Sequence, residues 1–337
     1  IKGITLIITK TPFRISFFGG GTDYPAWFHE HGGTVLATSI DKYCYISCRH
    51  LPPFFEHKHR IVYSRIENVN ANNEIEHPSV RAVLNWAGIN DGIEIHHDGD
   101  LPARSGLGSS SSFTVGLVHA LKALNGEMID KKSLAQNAIH IEQNIIKENV
   151  GSQDQISATY GGFNKIDFHR DDTFDISPVI IKNERQRELG DHLMLFFTGF
   201  TRLASNIAKS KIENFNKREK ELNLMKNMVD EAVSILHNTN ISIDEFGKLL
   251  DSSWKFKRSL SDQVSTPEID EIYNTAMNAG AIGGKILGAG GGGFILFFAK
   301  PEVQPTIRES LKKLVHVPFN FDNSGSRVVL YQPNGLQ

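Results

Sequence analysis

Residues 101–113 read L-P-A-R-S-G-L-G-S-S-S-S-F, and no other stretch constrains the fold so tightly. Gly106 and Gly108 make a turn, and Ser109, Ser110, Ser111 and Ser112 follow it without interruption. Phe113, Leu117, Val118, Leu121 and Leu124 then recur at helical spacing, with Gly126 as the stop. The turn therefore feeds hydroxyls into the start of a helix. A first helical turn has amides without an internal partner and carries the positive end of the dipole. Glycines let a phosphate approach the backbone, and serine hydroxyls can donate to it or bind a metal. The pattern predicts a seat for a nucleoside triphosphate; the bland alternative is a Ser-rich cap on an ordinary helix.

The rest of the chain predicts an α+β protein. A length of 337 residues suits two domains. Strands are expected over 4–8, 14–18, 34–40, 42–48 and 92–97, with a short helix over 79–87. Leu134, Ala138, Ile141 and Ile145 mark a second long helix, and the sequence 150–155, V-G-S-Q-D-Q, starts another. Beyond about Phe174 the chain alternates apolar strands (192–198, 294–298) with amphipathic helices around Val229 and Leu250, and a helix begins at Thr266-Pro267. Neither half keeps a β-α-β beat. We expect two α+β domains, 1–173 and 174–337, and no doubly wound sheet. The net charge of −2 offers no basic surface for nucleic acid or an anionic membrane. No apolar run is long enough to span a bilayer. Cys44 and Cys48 make no disulfide framework, which points to a reducing, cytoplasmic setting and buried thiols. The histidine pairs 29/31, 57/59 and 96/97 lack metal-ligand spacing and read as surface or loop residues.

Residues 288–293, G-A-G-G-G-G, match the dinucleotide fingerprint G-x-G-x-x-G. That fingerprint requires a helix after the turn, whereas Phe294-Ile295-Leu296-Phe297-Phe298 is short, aromatic and strand-like. The dinucleotide reading is rejected. Lys285 is followed by Ile286, so no Walker loop is present either. A hairpin needs fewer glycines than these five, so another group must come close to this backbone.

Three glycine-rich stretches thus stand in order: P-F-R-I-S-F-F-G-G-G-T-D-Y at 12–24, the run at 101–112, and 285–293. In this order and spacing the chain resembles the GHMP kinase superfamily over nearly its whole length, most closely the sugar-1-kinase branch. The resemblance implies a two-domain fold, with a ribosomal S5 domain 2-like N-terminal domain and a ferredoxin-like C-terminal domain. It also implies ATP and Mg²⁺ as cofactors and a sugar phosphate as small-molecule partner, with a homodimer as a further expectation. The reaction implied is phosphorylation of the anomeric hydroxyl of D-glycero-D-manno-heptose 7-phosphate, for nucleotide-activated heptose and surface polysaccharide. Fucose or another hexose is the alternative acceptor, and a catalytically silent binding protein is the alternative of another class.

Residue by residue, the resemblance places Asp154 as the catalytic base and Arg14 as its partner, offsetting charge on the transferred group. Arg104, Ser105, Gly106, Leu107, Gly108, Ser109, Ser110 and Ser111 would bind the ATP phosphates. Gly288, Gly290 and Gly291 would belong to the third motif, and Ser110 and Glu142 would hold the metal. Gly20, Gly21, Thr22 and Asp23 would bind the sugar, since a carboxylate can accept from two adjacent hydroxyls. Without the family, Asp154 reads as a helix cap, Arg14 as a strand-edge surface residue, Glu142 as a solvated helix flank and Asp23 as a turn residue. Galactokinase-like members carry Glu-His where this chain has Gly20-Gly21, which would clear room for a longer sugar. A terminal phosphate would need basic partners, for which Arg104, Arg202 and Lys257 are the candidates.

Overall fold

The computed structural model describes residues 5–103, 105–199 and 204–333; Arg104 and Arg202 lie outside the described residues. Two long strands carry the architecture. Strand β1 (Leu6–Phe18) alternates half-buried and buried side chains at its start and is wholly buried from Pro12 onward. Strand β2 (Gly33–His50) does the reverse, being buried over its first eight residues and mixed thereafter. Continuous apolar runs form where a sheet is covered on both faces. Each strand joins what the sequence divides in two. Pro12 lacks an amide for the ladder, and the chain accommodates it by a register shift between Pro12 and Phe13 without leaving the sheet.

Strands β3 (His59–Val62), β4 (Ile66–Val69) and β5 (Ile93–Gly99) extend this sheet beyond β2, with β3 and β5 parallel. The first part of β2 pairs instead with β6 (Phe163–Phe168), which forms a hairpin with β7 (Phe174–Pro178). The second sheet is antiparallel and contains β8 (Leu193–Phe197), β9 (Gly283–Ile286), β10 (Phe294–Phe298) and β11 (Val315–His316), in the order β11-β8-β10-β9. The chain then returns to the first sheet as β12 (Phe321–Asp322) on β2 and β13 (Arg327–Gln332) on β1. The expected boundary at 173/174 therefore falls inside a hairpin, where Phe168 faces Phe174. The last strands belong with the first sheet because β1 needs a partner on its open edge.

Helix Ser109–Leu124 lies on β1 and β2 with most of its side chains buried. Its mid-point is Gly116, where a Cβ would come 3.0 Å from Thr11 Oγ1. Helix Asp244–Ser259 joins the sheets: Phe246 meets Phe17 and Phe18 edge-on, at centroid distances of 5.5 and 5.1 Å, and also touches Phe298 of β10. Cys44 and Cys48 are buried free thiols, and burial pushes both thiol pKa values up. Two histidines depart from the surface reading: His59 is buried in β3, and His97 packs edge-on against Phe113. Among the described residues no helix is long and apolar enough to cross a membrane. Phe246→Ala removes the aromatic that both sheets share, and should cost about 3–5 kcal/mol, read as a lower urea midpoint.

Candidate active site

Glycine geometry brings the three motifs together. Gly108 caps helix Ser109–Leu124 in the left-handed region, with φ +75°. A Cβ there would stand 3.3 Å from Arg14 Cγ and 3.5 Å from Asp154 Cγ. A Cβ on Gly106 would stand 2.7 Å from Leu287 O, and one on Gly288 would stand 2.5 Å from Gly106 Cα. Only bare backbone permits the Gly106–Gly288 approach, and the positive φ of Gly108 favours glycine there. Two amides complete the seam: Arg14 N donates to Leu107 O and Phe294 N donates to Ser105 O, both at 3.0 Å.

Arg14 grips Asp154 as a fork. Its Nε donates to Oδ1 at 2.8 Å and its Nη2 to Oδ2 at 2.7 Å, while Nη1 reaches Gly106 O at 2.8 Å. Bidentate Arg–carboxylate pairs are strong and fix orientation. Arg14 is nearly enclosed, whereas 24% of the Asp154 side chain faces the cavity. A carboxylate has about four acceptor sites, so the fork leaves Asp154 able to meet a hydroxyl.

The cavity, of about 250 Å³, is lined from all three motifs: Gly20, Gly21 and Asp23, then Gly106, Gly108 and Ser109 to Ser111, then Lys285, Gly288 and Ala289. Asp23 is buried, accepting from Gly21 N and from Gln153 Nε2, both at 2.9 Å. Burial pushes its pKa up, and the nearby charge of Asp154 adds to the rise. Ser16 Oγ and Gln153 Oε1 line the cavity without a hydrogen-bond partner. Four basic side chains, Arg14, Lys211, Lys257 and Lys285, line the same cavity. Burial lowers the Lys285 pKa to about 7, with Arg14 and Lys211 adding repulsion.

Several expected residues sit elsewhere. Ser105 and Leu107 are buried behind the cradle and serve the seam through their carbonyls. Thr22 is buried and donates to Gly19 O and Thr34 O, closing its own turn. Gly290 and Gly291 pack on Val264, not on the cavity wall. Lys257 lines the cavity, but its ammonium is held by Ile286 O and Gly288 O at 2.7 Å each. Ser110 is exposed on the wall, whereas Glu142 is fully buried and bonded by Ser111 Oγ at 2.8 Å and by Gln155 Nε2. Glu142 therefore faces Ser111, not Ser110. A helix presents successive residues about 100° apart, so the serine run divides, with Ser111 and Ser112 turned inward and Ser112 donating to Pro12 O. Among the described residues no group of three or more His, Cys, Asp or Glu could hold a metal.

Sequence reasoning missed Gln153, Lys211 and Lys285. Gln153 had a signal, since three consecutive polar residues opened a buried helix. Lys211 had none, because Lys209 and Lys211 look alike on a polar helix.

A glycine turn leading into a serine-rich helix start, a clamped acid and a basic cavity are the features of an ATP-dependent phosphotransferase. The profile described as GHMP kinases N terminal domain matches residues 75–162, and that described as GHMP kinases C terminal matches 224–316. The chain belongs to the GHMP kinases. It is 29% identical over 325 residues to the D-glycero-alpha-D-manno-heptose 7-phosphate kinase of Campylobacter jejuni, spanning 91% of this chain and 93% of that one. It shares its fold with a D-glycero-D-manno-heptose 1-phosphate kinase from Bacteriodes thetaiotaomicron, at TM-score 0.77, 22% identity and coverage of 96% and 98%. The fold is also that of Lactococcus lactis galactokinase complexed with galactose, at TM-score 0.70, 20% identity and coverage of 96% and 95%.

Burial raises the Glu142 pKa from 4.5 to about 7. The folded state then binds a proton more tightly than the unfolded state. This contribution is full below about pH 4.5 and lost as pH rises through about 7, amounting to some 3 kcal/mol by order of magnitude. In the ligand-free protein, Glu142→Gln should gain on wild type across that window. Urea midpoints at several pH values read the difference; a pH-independent difference would contradict the assignment.

Proposed function

We propose that this kinase transfers the γ-phosphoryl group of ATP to the anomeric hydroxyl of D-glycero-D-manno-heptose 7-phosphate, giving the 1,7-bisphosphate. One observation carries the reading: Asp154, fixed by the Arg14 fork, opens into the cavity between the Gly106–Ser111 cradle and the buried Asp23. The ATP phosphates would rest on the cradle amides and the Ser109–Ser110 hydroxyls. The sugar would lie on Asp23, Gln153 and Ser16, whose unpartnered Ser16 Oγ and Gln153 Oε1 can meet its hydroxyls. Asp154 orients the acceptor hydroxyl and takes its proton as the oxygen bonds to the γ-phosphorus and the bond to the bridging oxygen breaks, releasing ADP, while Arg14 offsets charge on the transferred group.

Magnesium bound with ATP supplies further charge neutralisation, and it takes few protein oxygens. Ser110, with its hydroxyl on the wall, fits that need. Glu142 accepts from Ser111 and Gln155 through Oε2 alone, and its Oε1 has no partner among the described residues, so this second carboxylate oxygen is the one that would serve a metal.

The choice of a heptose 7-phosphate rests on the similarity to the Campylobacter protein and on the bare Gly20-Gly21 wall. The relatives' names differ on where the first phosphate stands, so the product must be located. ATP consumption with heptose 7-phosphate, heptose 1-phosphate, fucose and galactose ranks the acceptors, and phosphorus NMR of the product locates the new ester. Turnover of the 7-phosphate to the 1,7-bisphosphate is expected; exclusive use of another acceptor would overturn the reading.

Asp154→Asn should lower kcat by about 10²–10⁴-fold with an unchanged circular dichroism spectrum. Gly20 has room for a Cβ, whose nearest neighbours would be Ser16 Oγ at 3.6 Å and Gln153 Nε2 at 3.8 Å. Gly20→Ala should therefore fold and turn over, whereas Gly20→Glu should fold but lose about 100-fold or more of heptose 7-phosphate turnover. Equal rates for the two variants would remove the steric argument.

A further inference from the structure

Lys211 is the one cavity-lining cation, among the described residues, that makes no hydrogen bond or ion pair. Arg14 spends its donors on Asp154 and Gly106, Lys257 on two carbonyls, and Lys285 on Phe17 O at 2.7 Å. Lys211 is 4% exposed and lines the cavity. Its ammonium lies over the face of Tyr24, 5.5 Å from the ring centroid. Tyr24 also lines the cavity, next in sequence to Asp23. The ammonium therefore stands on the acceptor side, beside the first glycine motif. Burial lowers its pKa to about 8, and the charges of Asp23 and Asp154 oppose the fall.

A buried ammonium without an acceptor is costly. Ammonium groups bind phosphate as compact point charges. The two carboxylates near it, Asp23 and Asp154, already have donors of their own.

We propose that Lys211 binds the phosphate that the acceptor itself carries, and so selects phosphorylated over neutral sugars. This rests on the proposed acceptor being a sugar phosphate. It replaces Lys257 in that role, since the Lys257 ammonium is satisfied by carbonyls. Hydrogen bonds to a charged group are worth about 1.5–3 kcal/mol, or roughly 10–150-fold in binding.

The test compares wild type, Lys211→Met and Lys211→Arg. Lys211→Met should raise KM for heptose 7-phosphate by about tenfold or more and leave KM for ATP within a few-fold. The preference for heptose 7-phosphate over unphosphorylated heptose should fall by a similar factor, and Lys211→Arg should recover part of both. A rise in KM for ATP, or an equal fall in kcat for both sugars, would assign Lys211 to the transferred phosphoryl group and overturn the proposal. Inorganic phosphate separates this from the acceptor assignment. In wild type it should compete with whichever sugar is turned over, and Lys211→Met should abolish that competition. If wild type uses only neutral sugars yet shows this Lys211-dependent competition, the acceptor assignment fails and the anion site stands. If phosphate inhibits both proteins equally, the anion site fails.

Discussion

The Arg14–Asp154 fork is the constraint on which the site depends. Arg14 stands near the inner end of β1, Asp154 in the first turn of helix Gln153–Tyr160, and Gly106 in the turn before helix Ser109–Leu124. One guanidinium bonds both of the others, so three segments far apart in sequence are fixed by one planar group. A lysine could not do this, because it has no rigid pair of donors to match a carboxylate. Gly108 completes the geometry by leaving room for the pair against the cradle.

The second sheet meets this arrangement through backbone. Its glycine turn lies on Gly106 at Gly288, and Lys285 crosses to Phe17 O on β1. The aromatic contacts of Phe246 with Phe17 and Phe18 hold the same two bodies together just behind. The packing that joins the sheets thus also sets the width of the cavity between them.

The cavity concentrates charge where solvent is scarce. Burial raises the pKa of Asp23 and lowers those of Lys211 and Lys285. Each shift records stability given up by holding an ionisable group out of water. Such groups gather where an anionic substrate supplies the missing countercharge. Glu142 behaves differently. It is equally buried, but Ser111 and Gln155 both donate to its Oε2, and among the described residues its Oε1 has no partner.

Much of this was legible in sequence, because it depends on local chemistry. Glycines 106, 108 and 288, the serine-led helix and the short aromatic strand after Gly293 each follow from backbone freedom or hydrophobic period. The order of the three motifs implied the family. Only the tertiary structure decided how β1 and β2 run unbroken through Pro12 and Asp41, since the two strands pair with each other before and after both positions and the ladder takes up the break as a register shift. It alone returned the last strand to β1, and it alone turned Ser111 toward Glu142. It also set Lys211, Lys209 and Lys257 apart, one in the cavity, one in solvent and one on two carbonyls, because such placements are settled by neighbours distant in the chain.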